Sequence, residues 1–96
     1  MKGNAADIGV RHNPEANRFE AEVEGTLSVA DYQLRDREMI MTHTFVPPEM
    51  RGRGIAEKLV RTALEYAETQ QLRVVPACSY VAAFIQRHPE FHRLVA

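Results

Sequence analysis

Val46-Pro47-Pro48-Glu49-Met50-Arg51-Gly52-Arg53-Gly54-Ile55-Ala56 lies between an apolar, strand-like segment and an amphipathic helix, and its reading decides the fold. Gly52 and Gly54 let the backbone approach a bulky anion closely, and Arg51 and Arg53 bring positive charge. A helix beginning near Gly54 or Ile55 aims unpaired N–H groups and the positive end of its dipole at the same point. The combination suits a pyrophosphate. Two common nucleotide loops do not fit. Gly52-x-Gly54 followed by Glu57 lacks the third glycine of the dinucleotide fingerprint, and no Gly-Lys-Ser/Thr follows as in a Walker loop.

Upstream of the loop the chain is strand-rich. Phe19, Ala21 and Val23 alternate with Arg18, Glu20, Glu22 and Glu24, the period-two pattern of a half-buried strand whose carboxylates form one solvated row. Asn13 to Asn17 reads as a turn, leaving Ile8 to His12 as a short edge strand. Thr26 to Leu34 is β-rich and pairs back on the first long strand. Arg35-Asp36-Arg37 then turns into a strand from Glu38 to Val46. That last strand puts Met39, Met41, His43 and Phe45 on one face and Ile40, Thr42, Thr44 and Val46 on the other, which predicts a central strand covered on both sides. Pro47 and Pro48 end it, because proline cannot donate to a ladder.

Downstream, Ile55 to Thr69 carries an apolar stripe of Ile55, Ala56, Leu59, Val60, Ala63, Leu64 and Ala67, with charged residues outside it. Leu72 to Ala77 is a short buried strand. A strand, helix and strand in this order imply a right-handed crossover, so the strand at Leu72 runs parallel to the one at Glu38. Both strands then point their C-terminal ends at the Arg51 to Ala56 loop, where open α/β sheets bind ligands. Ser79 is placed to cap a final helix from Tyr80 to about Arg87, which Pro89 stops.

The 96 residues, 45% hydrophobic and 26% charged, describe one globular domain, 1–96, with one modest core. A net charge of −1 argues against a nucleic-acid surface. No run approaches the roughly 20 apolar residues that span a bilayer, and Met1 to Asp7 has no apolar leader region, so a cytoplasmic protein without membrane contact is expected. The single cysteine excludes an internal disulfide. His88 and His92 have the spacing of a metal pair, but Pro89 interrupts their helix and no third ligand lies nearby, so no metal is expected.

Arg51-Gly52-Arg53-Gly54-Ile55-Ala56 satisfies the motif Gln/Arg-x-x-Gly-x-Gly/Ala, His43-Thr44-Phe45-Val46-Pro47 precedes it, and Val75-Pro76-Ala77-Cys78-Ser79-Tyr80-Val81 follows the helix. On these three segments the chain resembles the GNAT superfamily of acetyl-CoA-dependent N-acetyltransferases, and within it the minimal YjdJ-type members of about this length. The resemblance covers most of the chain from Phe19 onward. It implies an α/β (α+β) minimal GNAT fold: an antiparallel meander joined by a strand-helix-strand crossover to a parallel strand that splays away, with a short C-terminal helix. It also implies that the strands at His43 and Cys78 separate to admit the pantetheine arm of acetyl-CoA. The helical pair that shapes the acceptor site of larger GNAT enzymes is missing.

Acetyl transfer requires the thioester to be held, its carbonyl polarised, and either a base for the acceptor amine or a nucleophile that takes the acyl group first. The loop residues Arg51, Gly52, Arg53, Gly54, Ile55 and Ala56 are read as the pyrophosphate cradle, with backbone N–H groups near Phe45 and Val46 as the polarising donors. Cys78 ends a buried strand, where a cysteine is by default a small inert hydrophobe, but it also begins a helix, which lowers a thiol pKa. The resemblance implies that Cys78 accepts the acyl group or adjoins the substrate, with His43 as its partner at the splay. A half-buried histidine bonded to backbone is the alternative for His43. Tyr80 is read as a packing residue also placed to donate to the leaving thiolate. The expected activity is transfer of acetyl to an unidentified amine, a small molecule or a protein lysine or N-terminus, by a monomer or weak dimer. A non-catalytic acyl-CoA-binding or partner-binding module is the alternative, and a thiol redox sensor ranks behind both because the chain has no resolving cysteine.

Overall fold

The computed structural model describes residues 8–96; residues 1–7, where the leader region was sought, lie outside it. Five strands form one mixed sheet in the order β1 (Arg11–Asn13), β2 (Arg18–Val23), β3 (Thr26–Arg35), β4 (Glu38–Phe45) and β5 (Arg73–Pro76). The first four pair antiparallel as a meander, and β5 joins β4 in parallel. Glu24 and Gly25 carry φ values of 54 and 76° in the two-residue turn between β2 and β3, the backbone that suits the twist of a tight hairpin. The crossover between β4 and β5 is helix α1 (Ile55–Thr69), and helix α2 (Ser79–Arg87) follows β5. The predicted architecture is present.

One face of the sheet is covered and the other is open. Phe19, Ala21, Ala30, Tyr32, Met39, Met41 and Val74 point to the covered face and meet the stripe Ile55, Leu59, Val60, Ala63, Leu64 and Ala67 of α1, all but Tyr32 at 2% exposure or less. Helix α2 lies beside α1 on the same side, adding Val81, Phe84 and Ile85, and the 3-10 segment Pro89–Leu94 closes the core with Phe91 and Leu94. Arg61 of α1 spans this junction. Its guanidinium sits 5.5 Å from the Phe84 ring centre and 5.8 Å from that of Phe91 and pairs with Glu57 and Glu90. The β4 strand is therefore covered on one side, not both: Ile40 is half-buried and His43 and Phe45 are exposed on the open face.

Which β4 side chains take each face is set by a bulge that the alternation of β4 does not reveal. Tyr32 pairs with Met41 but Asp31 pairs with His43, so Thr42 has no opposite residue. An extra residue in one strand shifts the phase of every side chain after it. Met39 and Met41 keep the covered face, but beyond Thr42 it is Thr44, opposite Ala30, that joins them, followed by buried Val46. His43 and Phe45 turn to the open face, where their rings stack at 6.4 Å. The expected grouping of Met39, Met41, His43 and Phe45 on one face is thus corrected.

Two further expectations change. The carboxylate row is not one solvated face. Glu20 is buried, 5% exposed, and takes hydrogen bonds from Arg11 Nε at 2.8 Å and Asn13 Nδ2 at 3.0 Å, which fasten β1 to β2. The Asn13 bond holds its carboxyl below the usual range; burial opposes this and the Arg11 and Arg18 guanidinium groups reinforce it. The capping residue of α2 is Cys78, one position earlier than expected, and Ser79 is the first residue of the helix.

Candidate active site

The β4–β5 ladder runs from Glu38↔Arg73 to Met41↔Pro76 and stops there. Beyond it the Cys78 N–H donates to the Met41 carbonyl at 2.8 Å, while β4 continues to Phe45 and the chain after Pro76 turns into α2. The two strands therefore part at their C-terminal ends, next to the loop that starts α1. A cavity of about 440 Å³ opens there, lined by Thr44, Val46, Met50, Arg51, Gly52, Gly54, Ile55, Ala56, Glu57 and Tyr80.

The cavity floor is the start of α1. Gly54 is the N-cap with φ 81° and has no side chain to bond the first-turn amides, so these remain directed at the cavity. Gly52 carries φ 82°, and a Cβ there would meet open space, so its need for glycine is conformational. Arg51 stands on the wall with its Nε donating to the Val46 carbonyl at 2.8 Å, which fixes the guanidinium by one edge. A bulky anion with several acceptor oxygens fits this donor set.

Arg53 does not share the cavity. Its guanidinium is turned toward the β2–β3 turn and holds Glu24 through two bonds, 3.1 Å to Oε2 and 3.4 Å to Oε1, with a contact to the Met50 sulfur at 3.6 Å. It lines a separate cleft of about 230 Å³ with Ile8, Gly9, Glu22, Val23, Glu24 and Ile55. Of the two arginines expected to share one site, the structure places only Arg51 on the wall of this cavity. The cause is a carboxylate 29 residues away in sequence.

The cysteine and the histidine are placed apart. Cys78 is half-buried and its sulfur lies 3.6 Å from the Thr44 hydroxyl. Successive side chains of a strand point to opposite faces, so with Thr44 turned to the cysteine His43 projects to the open face, beside Phe45. Burial pushes the Cys78 thiol up, but the Val81 amide, the Thr44 hydroxyl and the amides of Tyr80 and Thr44 outweigh it, leaving the pKa below its ordinary value. Tyr80 is on the cavity wall, and burial with the nearby Glu57 carboxylate raises its phenol against the opposing Arg87, so it stays protonated and able to donate. Thr44, Met50 and Glu57 line the cavity and were not singled out from the sequence. Glu57 falls on the polar side of the α1 stripe, and only the bulge brings Thr44 round. Among the described residues no group of three metal-ligating side chains occurs.

Comparison with known proteins identifies the family and the fold. Residues 18–94 match the family model for the GCN5-related N-acetyl-transferase. Protein NATD1 of Bos taurus is 31% identical over 85 residues, covering 85% of this chain and 75% of that protein, and the Homo sapiens NATD1 is 28% identical over the same shares. N-acetyltransferase 8 of Homo sapiens is 46% identical over 46 residues, 48% of this chain and 20% of that protein. A GCN5-like protein from Staphylococcus aureus, solved by NMR in solution, superposes with a TM-score of 0.72 at 21% identity, covering 92% of this chain and 87% of that one, which shows the shared fold.

Proposed function

The chain belongs to the GCN5-related N-acetyltransferase family, and from that premise we propose that it transfers acetyl from acetyl-CoA to an amine, acting in the cytoplasm as a monomer or weak dimer. The observation that carries the reading is the cavity that runs from the uncapped start of α1 to the parting of β4 and β5. The first-turn amides of α1 and the Arg51 guanidinium bind the pyrophosphate. The pantetheine arm lies along Val46 and Thr44, and the thioester reaches the throat beside Cys78. Amides of β4 near Phe45 and Val46 polarise the carbonyl, as donors fixed in advance of the reaction.

In the proposed route the Cys78 thiolate attacks the thioester carbonyl. A new S–C bond forms, the bond from the acetyl carbon to the coenzyme sulfur breaks, and the departing coenzyme thiolate takes a proton from the Tyr80 phenol on the cavity wall. The acceptor amine then attacks the acetyl-cysteine, an amide forms, and Cys78 leaves as the thiolate. The ammonium proton returns to the Tyr80 phenolate and restores the phenol. His43, on the open face of the sheet, stands where an acceptor arriving from that side would meet it. Because Thr44 rather than His43 adjoins the sulfur, the thiolate depends on local donors and not on the histidine.

Intact-mass analysis after incubation with acetyl-CoA tests this. One acetyl group is expected on the wild type and none on Cys78→Ala. Full turnover by Cys78→Ala would replace the covalent route with direct transfer to a bound amine. Firm binding of acetyl-CoA with no adduct and no turnover across amines, polyamines and lysine peptides would favour the non-catalytic acyl-CoA-binding module.

A further inference from the structure

The side chain that meets the Cys78 thiol is Thr44, and two features of the fold put it there. The bulge at Thr42 reverses the phase of β4, so that Thr44 shares the covered face with Met41. The Cys78 amide is pinned to the Met41 carbonyl, three residues before Thr44 on the same strand. The hydroxyl then lies 3.6 Å from the sulfur while the same residue forms part of the cavity wall with Val46 and Tyr80. Thr44 thus brings a side-chain hydroxyl to the thiol while lining the cavity. We propose that Thr44 is a positioning residue for acetyl transfer: its hydroxyl donates to the Cys78 sulfur and holds it, as the reactive thiolate, at the throat between the cavity and the parting strands. This inference rests on the acetyltransferase reading above.

The chemistry of the pair sets the direction of the bond. A thiolate can only accept, so the threonine must donate, and it keeps its proton throughout. A β-branched side chain on a strand has few χ1 choices, so the hydroxyl is presented in a fixed direction, whereas a cysteine with one free torsion is not fixed by itself. Charged neighbours do not supply the same effect. On β4 the bulge turns His43 to the other face. Glu57 of α1 and Arg87 of α2 act on the Tyr80 phenol. What faces the sulfur besides the hydroxyl are the amides of Val81, Tyr80 and Thr44.

The test compares Thr44→Val, which keeps the shape and loses the hydroxyl, with Thr44→Ser, which keeps the hydroxyl. The rate of Cys78 alkylation by iodoacetamide is followed against pH in the full chain, beside acetyl uptake from acetyl-CoA. Thr44→Val should move the alkylation midpoint upward by about one unit, the size of a hydrogen bond to a charged group, and slow acetyl uptake at neutral pH by roughly tenfold. Thr44→Ser should hold the wild-type midpoint. Profiles of Thr44→Val and wild type that superimpose, with acetyl uptake intact, would overturn the role of Thr44 alone. A shifted midpoint in a protein whose wild type takes no acetyl group would instead overturn the acetyltransferase reading, and the part of Thr44 in transfer with it.

Discussion

Replacing Arg51 and Arg53 one at a time by glutamine separates a residue that faces the ligand from one that does not. Arg51 is on the cavity wall and anchored by one nitrogen to the Val46 carbonyl, which leaves its two terminal nitrogens for the pyrophosphate. A hydrogen bond between charged partners contributes about 2 kcal/mol, so Arg51→Gln should raise the Kd for coenzyme A by roughly thirtyfold. Arg53 spends both terminal nitrogens on Glu24, and its side chain is only 16% exposed. Its effect on the ligand is that of a remote charge. At a separation on the order of 10 Å in water this is about 0.4 kcal/mol, so Arg53→Gln should change Kd by about twofold. Salt should erase the Arg53 effect before the Arg51 effect, because an interaction across about a Debye length is screened before a direct contact. Calorimetric titration with coenzyme A at low and physiological salt reads both numbers. Equal losses for the two variants, or a larger loss for Arg53→Gln, would refute the assignment of one arginine to the cavity and the other to the β2–β3 turn.

Two further outcomes follow from local geometry. Gly52→Ala places a Cβ in open space but at φ 82°, so the expected cost is the left-handed backbone alone, about 1–2 kcal/mol, visible as a lower urea midpoint with an unchanged slope. His12 stacks on Phe19 at 4.2 Å, meets Tyr66 edge-on at 4.4 Å, and shares a hydrogen bond with the Tyr32 hydroxyl at 2.5 Å. Burial lowers its pKa from the ordinary 6.5, so the unfolded chain binds the proton more readily. The stability tied to neutral His12 is then full above about pH 6.5 and is lost as pH falls toward the depressed folded pKa. Urea titrations between pH 5 and 7.5 should show stability rising with pH, and His12→Phe should flatten that rise; an unchanged rise would remove His12 as its source.

Most of the fold was legible because its signals are local. The glycine loop, the apolar stripe from Ile55 to Ala67, the prolines that end β4 and the alternation of Phe19, Ala21 and Val23 each report a backbone period within a few residues. From them the order of strands, the parallel crossover and the position of a binding loop at the C-terminal edge could all be read. The site was legible only in outline. Cys78, Arg51 and the glycines sit where expected, whereas His43 lies across the sheet from the expected meeting point and Arg53 faces another cleft.

What the sequence by itself determined is therefore the set of elements and the place where they meet. The tertiary structure decided which side chains share that place. Thr42 has no opposite residue only because β3 and β4 pair as they do, and that single insertion exchanges Thr44 for His43 beside Cys78. Glu20 is buried only because Arg11 and Asn13 of a neighbouring strand close over it, and Arg53 turns away from the cavity only because the β2–β3 turn brings Glu24 to it. Each is a contact between residues distant in the chain. Their register is set by the packing of the whole sheet on α1, where a shift of one residue would turn every following side chain to the wrong face.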